Sequence, residues 1–499
     1  MMKKGIKKSI LTSCLLMSVV STHTWASNDS LVEMTDTELS TIQGQALLSL
    51  GFTAPNTANP LQNYGYYKLG LEAKMELNAN IRALQLGCGG RNGPDGCDID
   101  MENVSLSGPP DGKLADGTPT WSKGRANTSA VLTNPFVEFA IKNPNSASTR
   151  EIAGFRLSAE EILGYLSAGT RNDIDGNGLS TGGGINTFSG FLKVAQTPVN
   201  AFTQDAMFGT RADELIYADV NMILGSRTVF TNPNAMTPGA SGYINPNSDN
   251  DLKAALYKYN GNPIWGINVP RQDVQFNFPE TIVTGSRMKQ LNLVVKDVPI
   301  PTIAIGADSG GISMTLDENL TWVSSATFFM GAKGTTAAGC AAVINTNNCS
   351  YITNLKANVQ VKQNFNLIHN LPISSGGYLA LQNTALQWPG VDAADIAQPG
   401  WWLSFKDPLD FGALNPTTGI PMQDVLPQIA TFITNYLSQN TINLGIGDVL
   451  GAAFGAPLYK GIGNVQLAND ARAIMVLENL LLDGHQRPVA NCFGGLKFC

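Results

Sequence analysis

The sequence predicts a mainly β protein: an elongated antiparallel sheet or sandwich body with long amphipathic strands and a few short packing helices. Two long segments alternate apolar and polar residues. Turn formers are abundant, with 51 Gly and 26 Pro in 499 residues, and the cysteines fall in close pairs across turn-rich loops. The charged fraction, 14%, excludes a disordered polyelectrolyte, because such chains are charge-rich and poor in apolar residues. A formal charge of −7, with no basic run after the first eight residues, argues against a nucleic-acid partner, which needs a cationic surface to meet phosphate.

Residues 1–26 read as a signal peptide. Lys3, Lys4, Lys7 and Lys8 make the positive start, Ile10 to Val20 the apolar stretch, and Thr24-Trp25-Ala26 the cleavage site. The apolar stretch is too short to span about 30 Å of hydrocarbon, so a membrane anchor is the weaker reading. Leu11-Thr-Ser-Cys14 has the look of a lipid-attachment box but follows the last lysine too closely. Removing four lysines and no acid takes the formal charge from −7 to −11. The expected location is outside the inner membrane: cell surface, outer-membrane-associated or periplasmic. The expected organisation is 27–60 as an N-terminal helix and linker, then 61–499 as one β-rich body.

The clearest strand signal runs from Lys68 to Ala83. Leu69, Leu71, Ala73, Met75, Leu77, Ala79, Ile81 and Ala83 alternate with polar residues or glycine. One unbroken strand of this length would reach roughly 50 Å. A second run spans Leu355 to Leu371, its apolar face interrupted by Gln363 and His369. Shorter strands are expected at Val274 to Phe278, Leu291 to Val295, Ile303 to Ile305 and Ile312 to Leu316. An outer-membrane-type β-barrel is the alternative. Its strands run about 10 residues between aromatic girdles, which these flanks lack.

Helices are fewer. Ser158-Ala-Glu-Glu161 has the form of a capping box, Asp424 is placed to cap an amphipathic helix from Val425 to Leu437, and Ala471 to Leu482 reads as a third helix. Leu39 to Ile42 makes a short amphipathic helix that Asp36 or Thr37 can cap and Gly44 can end. Gly445-Ile-Gly447-Asp-Val-Leu-Gly451 only loosely matches a dinucleotide fingerprint and reads as a turn followed by a small-residue helix.

Export makes the cysteines legible. Cys14 leaves with the signal peptide. The remaining six pair locally as Cys88 with Cys97, Cys340 with Cys349 and Cys492 with Cys499. Even counts at short spacing in an oxidising compartment point to disulfides, where zinc would want tighter spacing and more histidine.

Little chemistry is visible. Gly239-Ala-Ser-Gly-Tyr243 fails the nucleophile-elbow pattern at its last position, and His369 and His485 stand alone. No carboxylate pair stands out for glycoside hydrolysis, so a secreted hydrolase has no visible nucleophile and base. Asp95, Asp98, Asp100 and Glu102 cluster beside the first disulfide and read as solvated. The best ligand motif is Asp173-Ile-Asp175-Gly-Asn177-Gly178, the first half of a calcium loop. Position twelve would be Gly184, so the bidentate acid is missing and a plain turn rich in Asp and Asn competes with calcium.

Met34-Thr-Asp-Thr-Glu-Leu39-Ser-Thr-Ile42-Gln-Gly44-Gln45-Ala46 resembles the opening of exported proteins of the fil gene clusters of Acinetobacter and related gammaproteobacteria. Cys88 to Asp100, Asn134 to Pro144 and Arg150 to Leu157 resemble the FilB-like members of that group. The resemblance covers the N-terminal third. It implies a pilus-assembly or fimbrial role and carries no catalytic residues. The expected function is therefore an exported, non-enzymatic protein that serves fimbrial assembly or adhesion and joins other envelope or fimbrial proteins by strand addition. The alternative is a lipid or hydrophobic-ligand binder, in which the apolar faces of the two long runs line a groove.

Overall fold

In the computed structural model the period-two segments form strands. The structure describes residues 48–491 apart from residue 91 and segments 209–211, 215, 223–224, 232–266, 270, 306–313, 317–349 and 454–462. The Leu39–Ile42 helix and Cys340, Cys349, Cys492 and Cys499 lie outside the described residues. In chain order the strands that build the architecture are β1 (Leu48–Thr53), β2 (Gly65–Leu71), β3 (Lys74–Leu77), β4 (Ala79–Leu86), β5 (Ile99–Ser107), β6 (Ala130–Lys142), β7 (Glu151–Ser167) and β8 (Ile185–Val194). They continue with β9 (Thr281–Met288), β10 (Gln290–Pro299), β11 (Lys356–Asn364), β12 (Asn370–Ile373), β13 (Gly377–Gln382), β14 (Gly400–Phe405) and β15 (Arg472–Glu478). The helices are α1 (Leu426–Gln439) and α2 (Ile446–Ala453).

Twelve strands form the main sheet in the order β1-β2-β6-β7-β13-β14-β8-β5-β4, with β3 on β6, β12 on β7 and β9 on β8. The 17-residue β7 joins two regions of this sheet. Its residues 154–158 pair with β13, and its residues 164–167 pair with β12 and, in part, β5. The expected β body is present, and it is mixed: β8 runs parallel to β14, and β11 parallel to β15. A branched, mixed sheet differs from the even antiparallel meander of an outer-membrane barrel.

Several elements differ from the expectation. The Lys68–Ala83 run is three strands: one extra residue opposite β6 interrupts it at Glu72–Ala73, and the chain changes partners at Asn78. β2 and β3 pair with β6, whereas β4 pairs with β5. At the switch, the Asn78 side chain donates to the Thr128 carbonyl at 2.5 Å. Strand β1 begins the sheet inside the segment expected to be a linker. Ser158 to Glu161 lies within β7, where pairing to β6 on one side satisfies the backbone that a capping box would have served. Ala471 to Leu482 forms β15 in place of a helix: Ala473, Met475 and Leu477 are buried while Ile474 and Val476 are exposed. In both cases tertiary pairing overrides local spacing.

The second long run splits into β11 and β12 around a 3-10 turn at Phe365–Leu367. Ala357, Val359 and Val361 of β11 enter the main core, which Phe188, Phe278 and Met475 also build. Gln363 is buried without loss because its amide exchanges two 2.9 Å hydrogen bonds with the Leu480 backbone. Helix α1 buries Leu426, Ile429, Ala430, Ile433 and Leu437 against the same core. Its N-cap is Val425, not Asp424, and no side chain caps it. Helix α2 follows the turn at Gly445, as expected, and Asp448 accepts from the Gly445 amide at 3.0 Å.

Cys88 and Cys97 form the expected disulfide. Beside it, Asp98 is buried, contrary to the solvated reading. Its Oδ1 accepts from Arg287 Nε at 3.0 Å and from Asn92 at 2.9 Å, and its Oδ2 accepts from the Trp401 amide at 3.0 Å. The remaining guanidinium nitrogens of Arg287 donate to the carbonyls of Gly87, Gly93 and Asp95. One ion pair thus ties the disulfide loop, β9 and β14 together. Gly87 and Gly400 leave it room: a Cβ at either, both at positive φ, would lie 2.2 and 2.4 Å from Asp98 Oδ2. Asp98→Ala strands the half-buried Arg287 without its carboxylate. It should lower the unfolding free energy by roughly 3–5 kcal/mol, read as the urea midpoint. Asp98→Asn keeps the shape and should lose less.

Candidate functional site

The sheet formed by β1, β2, β6, β7, β13 and β14 has two unlike faces, and both follow from strand register. On the inner face, Lys68 stands opposite Glu138, Glu138 opposite Arg156, and Arg156 opposite Ala380. Arg156 Nε and Nη2 both donate to Glu138 Oε2 at 2.7 Å, and Nη2 also donates to the Pro389 carbonyl at 2.9 Å. The guanidinium carbon lies 5.2–5.5 Å from the ring centroids of Phe136, Tyr378 and Trp388. Both partners are buried, so the pair is enclosed by aromatic rings instead of water. Burial pushes the Glu138 carboxyl up, against the pull of Arg156.

Residues 383–399 fold over this face. Leu386 and Ala397 bridge each other, and the Gln387 carbonyl accepts from the Tyr66 hydroxyl at 2.7 Å. Asp395 is buried beneath the loop with three donors: the Tyr378 hydroxyl at 2.8 Å, Trp402 Nε1 at 3.0 Å and the Ser404 hydroxyl at 2.6 Å. Burial raises its carboxyl above the ordinary range despite those bonds. Between loop and sheet lies a cavity of about 350 Å³ lined by Glu138, Arg156, Tyr378, Asp395, Ser404 and Lys406, among others. Lys68 with Glu160 (3.2 Å) and Lys193 with Asp392 (2.7 Å) pair beside it. Glu138 and Arg156 are therefore committed to each other, and Asp395 to three neutral donors.

The outer face is apolar. Register places Leu50, Leu69, Val137, Leu157, Leu379 and Leu403 in one cross-strand row. Phe52, Tyr67, Phe139, Phe155, Leu381 and Trp401 make the next. The rings stack along the row: Phe52 to Tyr67 at 4.8 Å, Phe139 to Phe155 at 6.5 Å and Phe155 to Trp401 at 6.1 Å. Near β14 the main core covers Leu379, Trp401 and Leu403. Toward β1 the face is open, with Leu50 85% exposed and Leu48, Phe52, Leu69, Ile152 and Leu157 also exposed. Strand β1 pairs with β2 on one side and with no strand on the other among the described residues.

The residues singled out from sequence lie elsewhere. In the 173–178 loop, Asp173 accepts from the Thr181 hydroxyl. Asp175 Oδ1 accepts from the amides of Asn177 at 2.8 Å and Leu179 at 3.0 Å, which lower its carboxyl. Asn177 is exposed. The loop is thus an Asp-centred turn that uses these oxygens internally. Among the described residues no three His, Cys, Asp or Glu side chains are grouped to hold a metal. His369 is fully buried, with Nδ1 2.9 Å from the Ala168 carbonyl, and burial pushes its pKa down. The apolar face of the second long run is core, so the two runs do not line a shared groove. Sequence reading missed the Glu138–Arg156 pair, whose only signal was a charge flanked by apolar residues in each strand, Val137-Glu-Phe139 and Phe155-Arg-Leu157.

No family model, curated protein or solved structure matches this chain.

The raised Asp395 carboxyl makes stability pH-dependent. The folded chain keeps a proton that the unfolded chain releases near its ordinary pKa of about 3.9. The contribution from this group is complete below that value and is lost as pH rises through the folded pKa. Asp395→Asn removes that loss, so the variant's melting temperature should decline less than wild type's between about pH 4 and pH 7 by scanning calorimetry.

Proposed function

We propose that this chain is an exported, non-enzymatic envelope protein that serves fimbrial or adhesive assembly by taking a partner's extended segment on strand β1. The observation that carries the reading is the edge of β1, which no described strand pairs, at the open end of an apolar face. Edge strands of soluble proteins are commonly guarded by lysine, proline or a bulge, and Leu48-Ser-Leu-Gly-Phe-Thr53 has neither charge nor proline. Main-chain bonds along β1 supply affinity for such a segment. Leu48, Leu50 and Phe52 ask it for apolar residues at alternate positions.

The exposed apolar face also supports a second reading, a lipid or hydrophobic-ligand binder of the envelope. Native mass spectrometry separates the two, since a bound lipid travels with the protein. Leu50→Lys tests the first. Burying one leucine is worth about 1.5–3 kcal/mol, so the variant should be retained by outer-membrane or filament preparations at least ~10-fold less than wild type, with unchanged melting temperature. Equal retention of variant and wild type rejects a role for this edge in fimbrial or adhesive assembly.

A further inference from the structure

We infer that the strand received by β1 is β1 of a second copy of this chain, arranged antiparallel about a two-fold axis through Leu50. This rests on the reading of β1 as a docking edge and names its partner. The order of residues is self-complementary. Two antiparallel copies centred on Leu50 set Leu50 opposite Leu50, Leu48 opposite Phe52 and Ser49 opposite Gly51. A two-fold contact demands this, because the same patch must serve both sides.

The faces match as well as the order. Leu48, Leu50 and Phe52 share one face of β1, so antiparallel pairing keeps every apolar residue of the joint on the same side. The Leu50–Leu69–Val137–Leu157 row of one copy runs on into the same row of the other, and the Phe52 row meets the Leu48 row. On the opposite face the joint sets Ser49 against Gly51, which are small enough to cross without a clash, while Thr53 falls opposite residue 47, outside the described residues. No like charges oppose each other across the seam, since β1 carries none. Leu50, the residue on the axis, is 85% exposed in the single chain.

Charge exchange at position 50 tests the axis. The exported full-length chain should sediment as a dimer at micromolar concentration. Leu50→Lys and Leu50→Glu, each alone, set like charges face to face and should raise the dissociation constant at least ~10-fold. An equimolar mixture of the two should recover the dimer, because only position 50 meets itself. Dimers that persist in both variants, or a mixture that stays monomeric, overturn the proposal. So does a wild-type chain that is monomeric throughout. If that monomer still loses envelope retention on Leu50→Lys, the docking edge stands and another chain supplies the strand. If neither association nor retention responds, both readings fall. Co-sedimentation of the wild-type monomer with phosphatidylethanolamine–phosphatidylglycerol vesicles, lost in Leu50→Lys, assigns the face to lipid instead.

Discussion

The buried pair of Arg156 with Glu138 fixes the register on which this half of the sheet depends. An unpaired guanidinium under the 383–399 loop would be far more costly than any single apolar contact, so β6 and β7 have one acceptable alignment. A slip of one residue would send Arg156 to the other face and bring Leu157 inward. With that rung set, its neighbours follow. Lys68 falls beside Glu138, Ala380 and Trp402 continue the row, and Pro389 is held by the same guanidinium. The loop, the small aromatic core around Trp388 and Trp402, and the polar cavity are consequences of one aligned rung.

A second ion pair does comparable work at the far end of the sheet. Asp98 and Arg287 join the disulfide loop to β9 and β14, and the disulfide limits how far that loop can stray when it opens. The two pairs differ in kind. Arg156 is caged by rings and one carboxylate, so it specifies alignment. Arg287 spends its donors on loop carbonyls, so it specifies where an irregular segment sits.

Much of this was legible in the sequence, and the failures have a common cause. Period-two alternation identified β2, β11 and the short strand at Val274 to Phe278, because a one-sided strand writes its burial into every second residue. Alternation does not report bulges or changes of partner, so the Lys68–Ala83 run gave no warning of its bulge at Glu72–Ala73 or its switch of partner at Asn78. Ser158 to Glu161 and Ala471 to Leu482 fitted helical spacing locally and became strands through pairing with β6 and β11. The cavity was hidden for the same reason. Glu138 and Arg156 are 18 positions apart and become a pair only through the β6–β7 register. Asp98 was misjudged because an acid among glycines reads as solvated until Arg287 arrives from 189 positions away.

The two faces of the sheet are inverted relative to the usual antiparallel arrangement, in which the apolar side is packed and the polar side is wet. Here Glu138 and Arg156 lie beneath the loop while Leu69, Phe139 and Leu157 look outward. Composition alone cannot produce this, since the same residues one position out of register would give a conventional sheet. The buried ion pair holds the inversion in place, and exposing several large apolar side chains is unfavourable by roughly 25 cal/mol per Å² of surface left in water. An exposed apolar face of this kind is one that a second surface could cover. The unguarded edge of β1, at the open margin of the same face, is where such a surface would begin.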